Sequence, residues 1–117
     1  MEKKRLLICD DEIGIRESLK LILESDYDLD FASNGDEVME KIKNSRFDGI
    51  LLDVKMPEKD GLETLQEIKQ FSPEMKIIVV TGYKTVEAAS KAIKLGAMDY
   101  ITKPFAEKEV REKVSKI

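Results

Sequence analysis

The chain has 117 residues, 42% of them hydrophobic, enough for one sizeable core but not two. Charged residues make up 38%, yet the net charge is only -4, which argues for a solvated surface of mixed sign and against direct nucleic-acid binding. Histidine is absent and cysteine occurs once, at Cys9, so any chemistry must use carboxylates, hydroxyls and lysine, and no intramolecular disulfide can form.

Taken in order, five short apolar runs alternate with helical patterns. The first run, Arg5 to Cys9, ends in three consecutive carboxylates, Asp10, Asp11 and Glu12. Ile15, Leu19, Ile22 and Leu23 then repeat as one face of a helix. Tyr27 to Ala32 reads as a second strand, in which Tyr27, Leu29 and Phe31 alternate with polar or small residues as a half-exposed edge strand would. Val38, Met39 and Ile42 mark the next helix, and Gly49 to Leu52 the next strand, followed by Asp53. Leu62, Leu65 and Ile68 form a third helical stripe, and Lys76 to Val80 a fourth strand ahead of Thr81 and Gly82. The last unit pairs a helix marked by Val86, Ala89 and Ile93 with a strand over Asp99 to Thr102. Lys103 and Pro104 follow, the proline suiting the first turn of a final helix through Val110, Val114 and Ile117.

Alternation of this kind specifies a parallel α/β sheet covered on both faces, one domain over residues 1–117 with no linker inside it. Continuous apolar runs ("LLIC", "ILL", "IIVV") belong at its centre, and an edge second strand fits the flavodoxin-like, doubly wound order 2-1-3-4-5 with five helices. In that order ligands bind beyond the carboxyl ends of the strands, between the first and third. Asp10, Asp11, Asp53, Thr81 and Lys103 all fall on that rim. Each has a plain alternative. Asp11 could cap the first helix, Thr81 the fourth, Asp53 could open a turn, Lys103 could lie along the surface, and Cys9 is a small core residue. Their convergence on one rim favours a hard divalent cation, Mg²⁺, held by carboxylates and offsetting their repulsion while a phosphoryl group approaches. One carboxylate can then act as nucleophile, with Lys103 and the Thr81 hydroxyl neutralising charge.

These motifs resemble the receiver domain of two-component response regulators over essentially the whole chain. "CDDE" resembles its acidic pair, "LLDVKMPEKDG" its phosphoacceptor loop, "IIVVTG" its switch-hydroxyl strand and "GAMDYITKPF" its aromatic switch and lysine. The resemblance implies phosphorylation of Asp53 by a sensor histidine kinase. It also implies Mg²⁺ on Asp10, Asp11, Asp53 and the Lys55 backbone carbonyl, a switch through Thr81 and Tyr100, and a cis Lys103-Pro104 bond. Pro57 and Gly61 would shape the loop, and the face built from the fourth helix, fifth strand and fifth helix would act on an output domain or a second copy. Lys84, Lys91, Lys94, Tyr100, Lys108 and Arg111 lie along that face. By the same resemblance Lys55 and Tyr83 flank the path of attacking water and tune the phosphoryl lifetime. Neither is a ready base, so slow self-dephosphorylation is expected, and exchanging Tyr83 for alanine with Lys55 for asparagine should shorten the lifetime about tenfold.

Two other classes fit less well. An electron carrier of flavodoxin type would cradle an anionic phosphate in its first loop, which "DDE" would repel. An aspartyl-phosphate hydrolase would carry Asp-x-Asp, whereas Glu12 stands two after Asp10 and Ile13 two after Asp11. A phosphorylation-dependent signalling switch, not a turnover enzyme, is therefore expected. No run approaches the roughly 20 apolar residues of a membrane span, and a soluble cytoplasmic protein with no membrane contact is the natural setting.

Overall fold

The computed structural model describes residues 3–54, 61–82 and 86–117, with the side chains of residues 86 and 88 excepted. Five strands, β1 (Lys4–Cys9), β2 (Tyr27–Ala32), β3 (Gly49–Asp53), β4 (Lys76–Gly82) and β5 (Asp99–Lys103), alternate with five helices. These are α1 (Ile13–Leu23), α2 (Gly35–Asn44), α3 (Gly61–Phe71), α4 (Val86–Lys94) and α5 (Glu107–Val114). All pairings are parallel and the order is β2-β1-β3-β4-β5, the doubly wound arrangement expected from the alternation.

Strand periodicity divides the core into two layers. On β1, Leu7 and Cys9 join Ile50, Leu52, Ile77 and Val79 under α2, α3 and α4, while Leu6 and Ile8 join Leu51, Ile78, Val80 and Ile101 under α1 and α5. The three inner strands are apolar on both faces because both faces are covered. As an outer strand, β2 keeps Tyr27, Leu29 and Phe31 only partly buried.

Helix ends explain several departures from the sequence reading. Asp11 caps nothing: Glu12 occupies the N-cap of α1, and the Asp10 side chain accepts its N–H at 2.9 Å. Thr81 lies inside β4 and not at the start of α4. Pro104 precedes α5 by three residues, because the chain first completes a turn at the cis Lys103-Pro104 bond and caps at Ala106. The buried face of α4 carries Ala89 and Ala92, while Ile93 is 42% exposed. That helix closes in a Schellman turn, with Ala97 N–H donating to Ala92 O at 2.9 Å and Gly96 N–H to Ile93 O at 3.1 Å, and Gly96 takes a φ of +112° that a glycine adopts without steric cost. Ile117 lies beyond the end of α5 and is buried through a tight turn against Gly49.

Candidate functional site

Each acidic residue of the rim is placed by a strand that cannot slip without turning its apolar side chains into water. Asp10 continues the β1 ladder through its N–H to Ala32 O at 3.1 Å, and Asp53 ends β3 opposite Val80. Both side chains are almost fully buried, at 1% and 2% exposure, as is Thr81 at 2%. Asp11 and Glu12 stand at the wet margin. Together Asp10, Asp11, Glu12 and Asp53 offer carboxylate oxygens that all lie within 4.8 Å of one another.

Lys103 reaches this cluster from the end of β5. Its Nζ is 2.9 Å from Asp10 Oδ2, 3.3 Å from Asp53 Oδ2 and 3.5 Å from Glu12 Oε1. Burial works to lower the pKa of this ammonium, but Asp10, Asp53 and Glu12 outweigh it and hold the pKa above the ordinary lysine value. Among the described residues Lys103 pairs with three of these four carboxylates, and Asp10 Oδ2 has that ion pair but no aligned hydrogen bond. A buried carboxylate oxygen in this position is costly unless more positive charge is supplied. Such an all-oxygen donor set suits a hard divalent cation of the Mg²⁺ type.

The same field reaches Cys9, which lies one residue before Asp10 with 1% exposure. Burial first, then the charges of Asp10 and Asp53, pushes its thiol up to about 12. Since only the thiolate reacts, alkylation of the native protein at pH 8 should be about a thousandfold slower than that of the unfolded chain. Mass spectrometry after iodoacetamide treatment checks this, and comparable native and unfolded rates would contradict it. Because the folded thiol pKa is raised, its contribution to stability is complete below about pH 9 and is lost as pH rises toward 12.

Thr81 is brought to the rim beside Asp53 through the β3–β4 pairing, and its hydroxyl makes a long 3.5 Å contact to Gly82 O. Among the described residues, an added Cβ at Gly82 would meet nothing within 4 Å. Tyr100 is not part of the cluster. It points outward at 37% exposure, against Lys113 of α5. Glu12 was not assigned a role from sequence, although a third consecutive acid beside an acidic pair was the available signal. Lys55, Pro57, Tyr83 and Lys84 lie outside the described residues.

A doubly wound α/β unit with an acidic cluster and a lysine at its topological switch point defines the class of protein to which the chain is to be compared. It belongs to the response regulator receiver domain family, whose sequence model matches residues 6–115. It is 39% identical over 105 residues to the transcriptional regulatory protein ZraR of Klebsiella oxytoca, covering 89% of this chain and 24% of that one. It is 38% identical over 115 residues to the chemotaxis protein CheY of Halobacterium salinarum, covering 97% and 96%. The chain therefore spans about a quarter of the ZraR relative and nearly all of the CheY relative. Among solved structures, a response regulator receiver domain protein of Methanospirillum hungatei superposes with a TM-score of 0.91 at 37% identity, covering 98% of this chain and 93% of that one. NtrX from Brucella abortus superposes at 0.93 with 29% identity over 98% of this chain and 27% of its own. The family is one of signalling switches. No described helix is long and apolar enough to cross a membrane.

Proposed function

We propose that Asp53 is the phosphoacceptor of a Mg²⁺-dependent switch that receives its phosphoryl group from a sensor histidine kinase. The observation that carries this reading is the convergence of Asp10, Asp11, Glu12 and Asp53 within 4.8 Å, with the Lys103 ammonium between Asp10 and Asp53. Asp53 is the nucleophile because it ends the central strand β3 and faces both the acidic group and the lysine. An Asp53 carboxylate oxygen forms a bond to phosphorus as the donor's bond to phosphorus breaks, the leaving group taking the electron pair. Asp10, Asp11 and Asp53, with the backbone carbonyl of Lys55, would hold Mg²⁺, which when bound neutralises charge on the phosphoryl oxygens. Lys103 exchanges its contact with Asp53 for one with a phosphoryl oxygen, and the Thr81 hydroxyl donates to another. Water later attacks phosphorus, the Asp53 carboxylate leaves, and the water's proton passes to the released phosphate.

Phosphorylation adds about -1.5 to -2 charge and three acceptor oxygens, so it favours the arrangement that brings Thr81 and Lys103 close. Tyr100 would follow by turning inward, changing the α4–β5–α5 face presented to an output domain or a second copy. The relatedness to ZraR and NtrX, of which this chain spans about a quarter, favours an output domain, and the transcriptional regulatory protein ZraR favours a role in transcription. A chain residing in the cytoplasm beside its kinase is consistent with this reading.

Intact-mass spectrometry with a small phosphodonor tests the proposal. One phosphoryl group should be gained in Mg²⁺ and none after chelation, and uptake that ignores chelation would overturn the metal requirement. Asp11→Ala removes one wet carboxylate without disturbing the core, so it should weaken Mg²⁺ binding about tenfold or more. A titration with unchanged affinity would remove Asp11 from the metal site.

A further inference from the structure

Tyr100 is held at three points by two side chains that the proposed chemistry does not use. The Asp99 carboxylate accepts the Tyr100 N–H at 2.8 Å. Lys113 Nζ donates to the Tyr100 carbonyl at 2.6 Å and lies 5.1 Å from the centroid of its ring. The same ammonium pairs with Glu109 at 3.2 Å and Asp99 at 3.7 Å, which fixes it over the ring. Only the ring contact depends on the side-chain conformation of Tyr100, since the hydrogen bonds are to its backbone.

We infer that Lys113 is a positioning residue that holds the Tyr100 ring in its outward conformer and thereby sets the resting population of the switch. A cation on the outward ring face stabilises that conformer alone, while an inward ring leaves the ammonium with its carbonyl and carboxylate partners but no aromatic face. At a half-exposed site this contact is worth a population ratio of about two- to fivefold. Lys113→Met keeps the aliphatic stem and removes the charge, whereas Lys113→Arg keeps a cation suited to aromatic faces. This inference rests on the reading that Tyr100 responds to phosphorylation, but its test separates the two.

Protein labelled with meta-fluorotyrosine, with the Tyr100 signal assigned by Tyr100→Phe, reports ring conformers by fluorine saturation transfer. The inward conformer is recognised by its weaker relaxation from a neutral gadolinium chelate. Without phosphodonor, Lys113→Met should raise the inward population about two- to fivefold, and Lys113→Arg should return it to the parent value. Equal populations in Lys113→Met and parent would overturn the inference. If the phosphorylated parent, verified by mass, keeps its major conformer outward, the reading of Tyr100 as a switch fails, while the comparison of variant with parent still decides the role of Lys113.

Discussion

Lys103→Met is expected to lower the stability of the metal-free protein by about 3 kcal/mol, a fall of roughly 10 °C in Tm. The substitution keeps most of the side-chain volume but removes the ammonium that pairs with both Asp10 and Asp53, which are 1% and 2% exposed. Taking away one partner of a buried ionic group leaves the other charges uncompensated, which costs more than the pair itself contributes. Glu12 is wet and relaxes into solvent, so the loss falls at the lower end of the range for buried pairs. Saturating Mg²⁺ should stabilise the variant more than the parent, because it supplies the missing positive charge. The pH dependence has a definite sign. The Lys103 pKa is raised in the folded state, so its stabilisation is complete below the unfolded lysine value of about 10.4 and is lost as pH climbs through the folded value. Thermal melts of parent and variant from pH 8 to 11.5, with and without Mg²⁺, check all three statements; an unchanged metal-free Tm would contradict the first.

Gly61→Ala should be as damaging for a different reason. A Cβ at Gly61 would lie 2.4 Å from the Asp53 carbonyl oxygen and 2.5 Å from Val54 Cα, both backbone atoms of the strand end that carries the acceptor carboxylate. The Gly61 N–H donates to Val54 O at 2.9 Å, so α3 begins in direct contact with that strand end. Relief requires either the helix start or the Asp53 peptide to move. We expect a loss of about 2 to 3 kcal/mol together with slower phosphoryl uptake, since the clash displaces the nucleophile's own residue. Gly14→Ala is the matched control: its Cβ would meet nothing within 4 Å among the described residues, and it should stabilise α1 by about 0.5 to 1 kcal/mol. Urea titration and the rate of mass gain read the two effects, and a Gly61→Ala protein equal to the parent in both would show that the strand end adapts freely.

The contrast between what could and could not be seen in the sequence follows from which physical signals are local. Continuous apolar runs located the inner strands and an alternating run located the edge strand, because burial on two faces or one leaves a different pattern in consecutive residues. Strand order and the two-strand crevice then followed, and with them the acidic rim. On α4 the reading from Val86, Ala89 and Ile93 placed Ala89 correctly but took Ile93, which is exposed, where Ala92 is buried, because an alanine's small side chain carries little hydrophobic signal. Pro104 looked like a helix start because proline suits the first turn, whereas two more residues, Phe105 and Ala106, intervene before α5. The share of Glu12 in the Lys103 contact depends on side-chain reach across the rim, which spacing does not encode. Lys113 was passed over for a similar reason: it meets Tyr100 thirteen residues away through the packing of α5 on β5.

The central claim concerns where the phosphoryl group is attached. Borohydride reduction of freshly phosphorylated protein converts an aspartyl phosphate to homoserine, and peptide mass mapping then locates the altered residue. The account expects homoserine at position 53 alone, formed only when Mg²⁺ and donor were both present, and absent from Asp53→Ala. Homoserine at Asp10 or Asp11, or undiminished labelling of Asp53→Ala, would contradict it.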